Sequence, residues 1–197
     1  MSKLSLNIER QKQIAQEVYA SLTLIDPSCI LAGGAPRDWY LGTEANDLDF
    51  YFCSTASTVG RVKEQLNRLG FEVQPSVCPL DSGLYESMPG LVRIWNCDQE
   101  DIKIQFIEMT DPKHRWDVVN NMDVSICKAW YTQKGQIVLH QDFKLTLASK
   151  IMFLKEGYNW SNKHGRKMIE RFDTKFAAGT KEQAVNSVVS KALLEIQ

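Results

Sequence analysis

Residues 31–42 read LAGGAPRDWYLG and residues 46–50 read NDLDF, and these two stretches decide the fold that the sequence predicts. The first begins as a short apolar strand, turns at Gly33 and Gly34, and enters a short helix. Pro36 suits the first turn of that helix because its fixed φ fits a helix start. The second stretch alternates polar and apolar residues, as a strand does. A strand, a glycine turn, a helix and a second strand are therefore predicted in close succession.

Two carboxylates lie on the second of these strands. Asp47 and Asp49 are two positions apart, so both side chains leave the same face, roughly 7 Å apart, while Leu48 and Phe50 face the core. Such a pair on its own is more often a solvated turn, but the glycines beside it favour a metal site. Two neighbouring carboxylates repel each other, and a divalent cation relieves that repulsion. Asp47 and Asp49 are therefore the predicted catalytic residues and ligands of Mg²⁺, with Mn²⁺ as an alternative.

The glycine pair predicts a loop that can bind phosphate groups. Gly33 and Gly34 let the backbone approach a ligand closely, and the N–H groups at a helix start attract phosphate oxygens. Arg37 lies in the first turn of the helix and can add a phosphate contact. Either the glycine pair or the Asp-x-Asp pair alone is a weak signal. The two motifs in the order strand, glycines, helix, strand form a specific arrangement.

This arrangement resembles the nucleotidyltransferase superfamily, and in particular the head domain of bacterial-type poly(A) polymerases and tRNA CCA-adding enzymes. That family reads G-G-x-x-R-D-x-L-L-G and then D-I-D, and the match is close over residues 31–52. The resemblance implies that a pair of aspartates binds the metal ions, that the glycines form the triphosphate loop, and that the Arg-Asp pair supports it. The residues concerned are Asp47, Asp49, Gly33, Gly34, Arg37 and Asp38.

Two later segments resemble the same family more loosely. Residues 120–127 read NNMDVSIC against the family's R-R-D-F-T-x-N-A, so that Asp123 matches the aspartate while neither arginine is kept. Residues 166–172 read RKMIERF and are similar to the family's R-x-L-R-A-x-R-F helix, whose final Arg-Phe pair is present. By this resemblance Asp123, Arg166 and Arg171 join the nucleotide-binding residues.

A third carboxylate on a neighbouring strand often completes the metal site in this superfamily. On the strand predicted at residues 102–107 the obvious position holds Gln105, a neutral amide. Asp101, Glu108 and Asp123 are the alternatives, and the sequence does not choose among them. A second hypothesis therefore stands beside the enzyme: a catalytically degenerate nucleotide- or nucleic-acid-binding module of the same fold.

The rest of the pattern predicts an α/β (α+β) fold, a nucleotidyltransferase-type mixed sheet flanked by helices. Residues 1–140 are the predicted catalytic domain, and residues 141–197 are a short helical neck-like segment. The charge divides at the same boundary, with 13 Lys and Arg against 18 Asp and Glu before it and 10 against 6 after it. An acidic part that can hold metal ions is thus joined to a basic part that can meet phosphates.

The individual elements follow from periodicity and from turn residues. Helices are predicted at 6–21, 36–41 and 55–69, from Asp111, and throughout the region after Phe143. Strands are predicted at 29–32, 47–52, 71–77, 91–96, 102–107, 124–130 and 136–139, with a loop at 79–90.

The five cysteines form no C-x-x-C pair, and most lie in or beside apolar runs, so reduced thiols are expected. No apolar run approaches the roughly 20 residues that span a bilayer. The first residues lack the apolar core of a signal peptide. These features together predict a cytoplasmic protein without a membrane partner.

The predicted activity is transfer of a nucleoside monophosphate from a nucleoside triphosphate, such as ATP, to an acceptor hydroxyl, with release of pyrophosphate. In the enzymes that the chain resembles, base choice depends on an E-D-x-x-R template after the Arg-Phe segment. Residues 173–197 contain neither an arginine nor D-x-x-R, so we expect that the chain does not add CCA to tRNA. A compact acceptor is expected, and a short RNA end, a protein and a small molecule all remain open.

Overall fold

The structure is a computed structural model that describes residues 3–54, 60–76, 90–110, 115–158, 161 and 163–176. Within these residues seven strands form one mixed sheet in the order β3-β4-β5-β2-β1-β6-β7, which confirms the predicted fold class. The strands are β1 (Ile30–Ala32), β2 (Asp47–Cys53), β3 (Gln74–Pro75), β4 (Leu91–Gln99), β5 (Ile102–Met109), β6 (Ala129–Tyr131) and β7 (Ile137–Leu139). β2 and β5 run parallel, and the other neighbouring strands are antiparallel.

The helices lie on both sides of the sheet and at its β7 end. They are α1 (Lys3–Leu22), α2 (Gly34–Tyr40), α3 (Val62–Arg68), α4 (Arg115–Asn120), α5 (Gln141–Ser149) and α6 (Lys163–Phe176), with a short 3-10 helix at Ser125–Cys127. None of the helices in the described part of the chain has the length and apolar character needed to cross a membrane.

The main core lies on one face of the sheet, beneath α1. Val18 and Leu22 of α1 share this cluster with Phe50 of β2 and Phe106 of β5, all of them buried. Polar and apolar residues alternate along β2, and its apolar side chains face this core as predicted: Leu48, Phe50 and Phe52. The other face receives the odd-numbered residues of β2, which begin with the two aspartates.

A smaller apolar cluster covers part of that second face. Tyr51 of β2 and Ile107 of β5 pack there against Val119 of α4 and Met122, which follows it. This cluster lies toward the carboxyl end of β2. The face at the amino end of the strand is left to polar side chains.

A third cluster joins the C-terminal helices to the sheet. Ile126 of the 3-10 helix, Phe143 of α5, and Met168 and Phe172 of α6 are buried together. The cluster therefore crosses the boundary predicted between residues 140 and 141. That boundary stays a prediction.

Three predicted elements differ from the structure. The strand predicted at 124–130 is a 3-10 helix followed by the short β6, and of the strand predicted at 71–77 only β3 forms among its described residues. The helical pattern after Phe143 is interrupted at 151–158. Lys150 ends α5 with a φ of 56°, and Leu154 then pairs with Val124 in an isolated antiparallel bridge. Tertiary pairing thus overrides helical periodicity in this segment.

Some predictions fall outside the described residues. They concern the helix starts at Thr55 and Asp111 and most of the loop at 79–90. Four cysteines are described, and none of them forms a disulfide bond with another described cysteine: Cys29, Cys53, Cys97 and Cys127.

Candidate active site

The two aspartates lie at the amino end of β2. Asp47 and Asp49 are half-buried, and Leu48 between them points into the opposite core. The Oδ1 atom of Asp49 is buried and has no hydrogen-bond partner among the described residues. A buried carboxylate oxygen without a donor is costly unless a proton or a cation satisfies it.

The glycine turn lies against both carboxylates. Gly33 has φ 97° and ψ −123°, a conformation that side-chain-bearing residues rarely adopt, and its N–H donates to the carbonyl of Ala129 on β6. A Cβ on Gly33 would lie 4.0 Å from Oδ2 of Asp49, and one on Gly34 would lie 4.0 Å from Oδ1 of Asp47. The turn therefore brings the start of α2 directly to the aspartates of β2.

Arg37 and Asp38 form a buried ion pair beneath this turn. The Nε and Nη2 atoms of Arg37 donate to the two carboxylate oxygens of Asp38 at 2.7 and 3.1 Å, and the two side chains are only 1% and 5% exposed. Nη2 of Arg37 would lie 3.7 Å from a Cβ on Gly34, and Nη1 donates to Sγ of Cys127 at 3.5 Å. Arg37 thus stabilises the glycine turn from its buried side. The sequence pattern also predicted a direct contact between Arg37 and phosphate.

Electrostatics at Asp49 favour a bound cation. Burial, and then the neighbouring charge of Asp47, raise the pKa of Asp49 to about 8, and the positive charges of Arg171 and Arg37 oppose this rise. A divalent cation would favour the charged form of both carboxylates and would satisfy the orphaned oxygen of Asp49. The residues present therefore fit a divalent metal ion.

The two C-terminal arginines predicted to bind nucleotide lie in different environments in the structure. Arg171 of α6 is close enough to act electrostatically on Asp49 and on Cys127, so it belongs to the site. Arg166 is exposed one and a half turns earlier, and its Nη1 donates to the carbonyl of Ser161.

Asp123 lies on the stretch that precedes the 3-10 helix. Its carbonyl accepts from the N–H of Lys155, and burial together with the charge of Asp123 raises the pKa of Tyr158. The charge of Asp123 therefore acts on the segment between α5 and α6.

The position opposite Asp49 on β5 is held by Gln105, in the parallel register. Gln105 donates to Oδ1 of Asn96 at 3.0 Å. Among the other acids considered, Glu108 is buried on the opposite face, where it accepts from Ser54 and from the indole of Trp95.

Asp101 is exposed in the β4–β5 turn. In the described part of the chain, no three His, Cys, Asp or Glu side chains are grouped so as to hold a metal ion. A metal ion at this position would therefore be held by two carboxylates.

Sequence reasoning missed two side chains beside the site. The terminal carbon of Met122 would lie 3.5 Å from a Cβ on Gly33, and the thiol of Cys127 accepts from Arg37. Burial raises the pKa of this thiol, so an uncharged group faces the guanidinium. Both residues flank Asp123 in the segment that resembles the family motif, and that position was the only available signal.

Comparison with known proteins identifies a family and a fold. A family model described as "Gad2: Gabija anti-defense 2 family protein" matches residues 7–150, more than half of the chain. No curated protein matches the chain.

Among solved structures, a tRNA-processing enzyme in an apo form is 18% identical with a TM-score of 0.56, over 94% of this chain and 48% of that one. The Bacillus stearothermophilus CCA-adding enzyme in complex with CTP is 14% identical with a TM-score of 0.51, over 93% and 43%. A CCA-adding enzyme with ATP is 15% identical with a TM-score of 0.52, over 100% and 47%. The chain spans about half the length of these structures, and it shares their nucleotidyltransferase-type fold.

Proposed function

The chain belongs to the Gabija anti-defense 2 family, and we propose that it is a metal-dependent nucleotidyltransferase. It would transfer a nucleoside monophosphate from a nucleoside triphosphate to an acceptor hydroxyl and release pyrophosphate. The observation that carries this proposal is the contact between the glycine turn and the two aspartates. Gly33 and Gly34 each lie within reach of one carboxylate of β2, Asp49 and Asp47 respectively.

The binding step uses the start of α2. No side chain caps the start of this helix at Gly33, and the lack of a side chain at Gly34 leaves room for phosphate oxygens near the first N–H groups. The buried pair of Arg37 and Asp38 holds the turn in this shape, and Arg171 contributes positive charge from α6. The glycine turn and Arg171 would bind the triphosphate, and the buried pair would keep the turn in position.

The transfer step uses the two aspartates. Asp47 and Asp49 would hold Mg²⁺, or Mn²⁺ in its place, which neutralises negative charge on the phosphates when it is bound. The acceptor oxygen forms a bond to the α-phosphorus while the bond from that phosphorus to the α–β bridging oxygen breaks. The electron pair leaves with pyrophosphate, and the hydroxyl proton is lost to water. The protein contributes mainly position and charge.

The identity of the acceptor is inferred from the description of the family and not from the fold. Because the family is described as acting against Gabija defence, we propose that the acceptor is a component of that defence system. The similarity to CCA-adding enzymes supports the use of a triphosphate such as ATP or CTP.

A second candidate function is a nucleotide-binding module that has lost catalysis. The observation that favours it is Gln105, a neutral amide in register with Asp49. Such a module would still bind a triphosphate at the glycine turn, but it would not cleave it.

Pyrophosphate release separates the two functions. We would incubate the protein with each of the four nucleoside triphosphates, Mg²⁺ and an extract containing an active Gabija system, and measure pyrophosphate. An enzyme releases pyrophosphate that depends on both Mg²⁺ and the extract, and labels an extract component with the α-phosphate of the triphosphate. Binding of triphosphate without either signal would favour the module.

A further inference from the structure

Two polar rows cross three strands beside the aspartates. Asp49 of β2 is in register with Gln105 of β5, which is in register with Asn96 of β4. Paired residues on neighbouring strands point to the same face, and the hydrogen bond from Gln105 to Asn96 agrees with this. The first row therefore continues the site from Asp49 across β5 to β4.

The second row lies one step nearer the amino end of β2. Asp47 is in register with Lys103, which is in register with Asp98. Lys103 and Asp98 are exposed, while Gln105 and Asn96 are half-buried. We call the four residues of β4 and β5 the polar platform: Asn96, Asp98, Lys103 and Gln105.

The reaction geometry assigns a side to each substrate. The glycine turn lies on the β1 side of the aspartates, and the polar platform lies on the β5 side. In phosphoryl transfer the attacking and leaving oxygens are roughly in line, on opposite sides of the phosphorus. If pyrophosphate leaves on the side of Gly33 and Gly34, the attacking hydroxyl must arrive over the polar platform.

The charge at this edge of the sheet disfavours a polyanion. Lys103 lies between Asp47 and Asp98, and the adjoining β4–β5 turn adds the exposed carboxylates of Glu100 and Asp101. Arg10 of α1 pairs with Glu100, and even with its charge counted the side chains described at this edge carry more negative than positive charge. A nucleic acid needs cations along its phosphates, and the negative charge of this edge repels those phosphates. A neutral or basic segment is attracted.

The size and chemistry of the platform suit a polypeptide. Neighbouring strands are about 4.8 Å apart, so the row from Asp49 to Asn96 is about 10 Å long, which is about three residues of an extended chain. The amide side chains of Gln105 and Asn96 combine donors with acceptors, as a peptide group does.

We propose that the polar platform binds the acceptor, and that the acceptor is a Ser, Thr or Tyr hydroxyl in a neutral or basic polypeptide segment. This inference rests on the proposed function. The side-chain oxygen of the acceptor forms the new bond to the α-phosphorus, pyrophosphate leaves with the electron pair, and the hydroxyl proton is lost to water. The product is a phosphodiester between the protein side chain and the nucleoside.

The test compares three acceptors with Mg²⁺ and triphosphates labelled at the α-phosphorus. The first is a peptide library with central Ser, Thr or Tyr among Arg, Lys and neutral residues, and the second replaces Arg and Lys by Asp and Glu. The third is an RNA oligonucleotide with a free 3′ hydroxyl. Binding of Mg²⁺ and triphosphate is measured in parallel by calorimetry.

The proposal predicts labelling of the basic library at least about tenfold above that of the acidic library, with the RNA unlabelled. Labelling of the RNA alone would overturn the acceptor assignment and leave the proposed function intact. Triphosphate binding without labelling of either library would also overturn the assignment. Absence of triphosphate binding would overturn the proposed function itself.

Charge reversal tests the platform directly. Asp98→Lys is expected to raise the KM for the basic library by about tenfold, to lower it for the acidic library, and to leave triphosphate affinity unchanged. Glu17→Lys is the matched control, because Glu17 is an exposed residue of α1, which packs on the opposite face. Identical changes in the two variants, or an unchanged preference in Asp98→Lys, would contradict the platform.

Discussion

A Cβ placed on Gly34 would lie 4.0 Å from Oδ1 of Asp47, so the start of α2 and the amino end of β2 share one small space. The two residues are 13 positions apart, and the antiparallel pairing of β1 with β2 brings them together. A triphosphate bound at the helix start would therefore lie against the carboxylates. Substitutions around this space are expected to differ in whether they change triphosphate binding or stability.

Gly34→Val is expected to weaken triphosphate binding by at least about tenfold, because a branched side chain fills the space that phosphate oxygens need. The fold should survive, since the nearest atoms to a Cβ, at 3.7 and 4.0 Å, are at ordinary contact distances. Calorimetry with Mg²⁺ and triphosphate measures the effect, and thermal unfolding checks the fold. Unchanged affinity in a folded Gly34→Val protein would show that the triphosphate binds elsewhere.

Gly33→Ala is expected to act on stability instead. Its φ of 97° with ψ of −123° lies in a region that residues with a Cβ rarely adopt, at a cost of about 1–3 kcal/mol. Urea unfolding with the wild type as the reference measures this cost. Equal stability of the two proteins would mean that the turn adopts another conformation in solution.

The buried pair of Arg37 and Asp38 should behave as one unit. Arg37→Met leaves the Asp38 carboxylate buried without its cation and is expected to cost about 3–5 kcal/mol of unfolding free energy. Adding Asp38→Asn to that variant should cost much less than Asp38→Asn costs in the wild type. A double-mutant cycle by urea unfolding measures the coupling. Strictly additive costs would contradict the pairing.

Stability of the metal-free protein should depend on pH through Asp49. Its pKa is about 8 in the folded chain and about 4 when unfolded, so within that window the folded state binds the extra proton. Raising the pH from about 5 to about 8 therefore lowers the unfolding free energy. Asn carries no such proton, so Asp49→Asn should gain stability relative to wild type over the same range in chelator. A pH-independent difference between the two proteins would contradict the raised pKa.

How far the sequence predicts the structure depends on the range of the interaction. The strand, glycine turn, helix and Asp-x-Asp strand were predicted because each is set by local pattern and glycine conformation. The segment at 151–158 was predicted as helix because its bridge from Leu154 to Val124 cannot be read from local periodicity.

The site shows the same division. The proximity of the glycines and aspartates was inferred from local order together with the family resemblance. The family resemblance indicated that Gln105 lies near the aspartates, whereas the register of Lys103 against Asp47 depends on how β5 pairs with β2, and no local signal reports it. The support of the turn by Cys127 likewise depends on the 3-10 helix, which the sequence predicted as strand.

The central claim is tested most directly by Mg²⁺-dependent pyrophosphate release in the wild type, Asp47→Asn and Asp49→Asn, with labelled acceptor as a second readout. Asp26→Asn is the control for loss of a carboxylate outside the site, because Asp26 accepts from the N–H of Cys53 at the far end of β2. Each site variant removes charge from the shared metal site, so turnover should fall by at least about 100-fold in a folded protein. Asp26→Asn, if folded, should retain turnover. Undiminished Mg²⁺-dependent pyrophosphate release in both site variants would contradict the account.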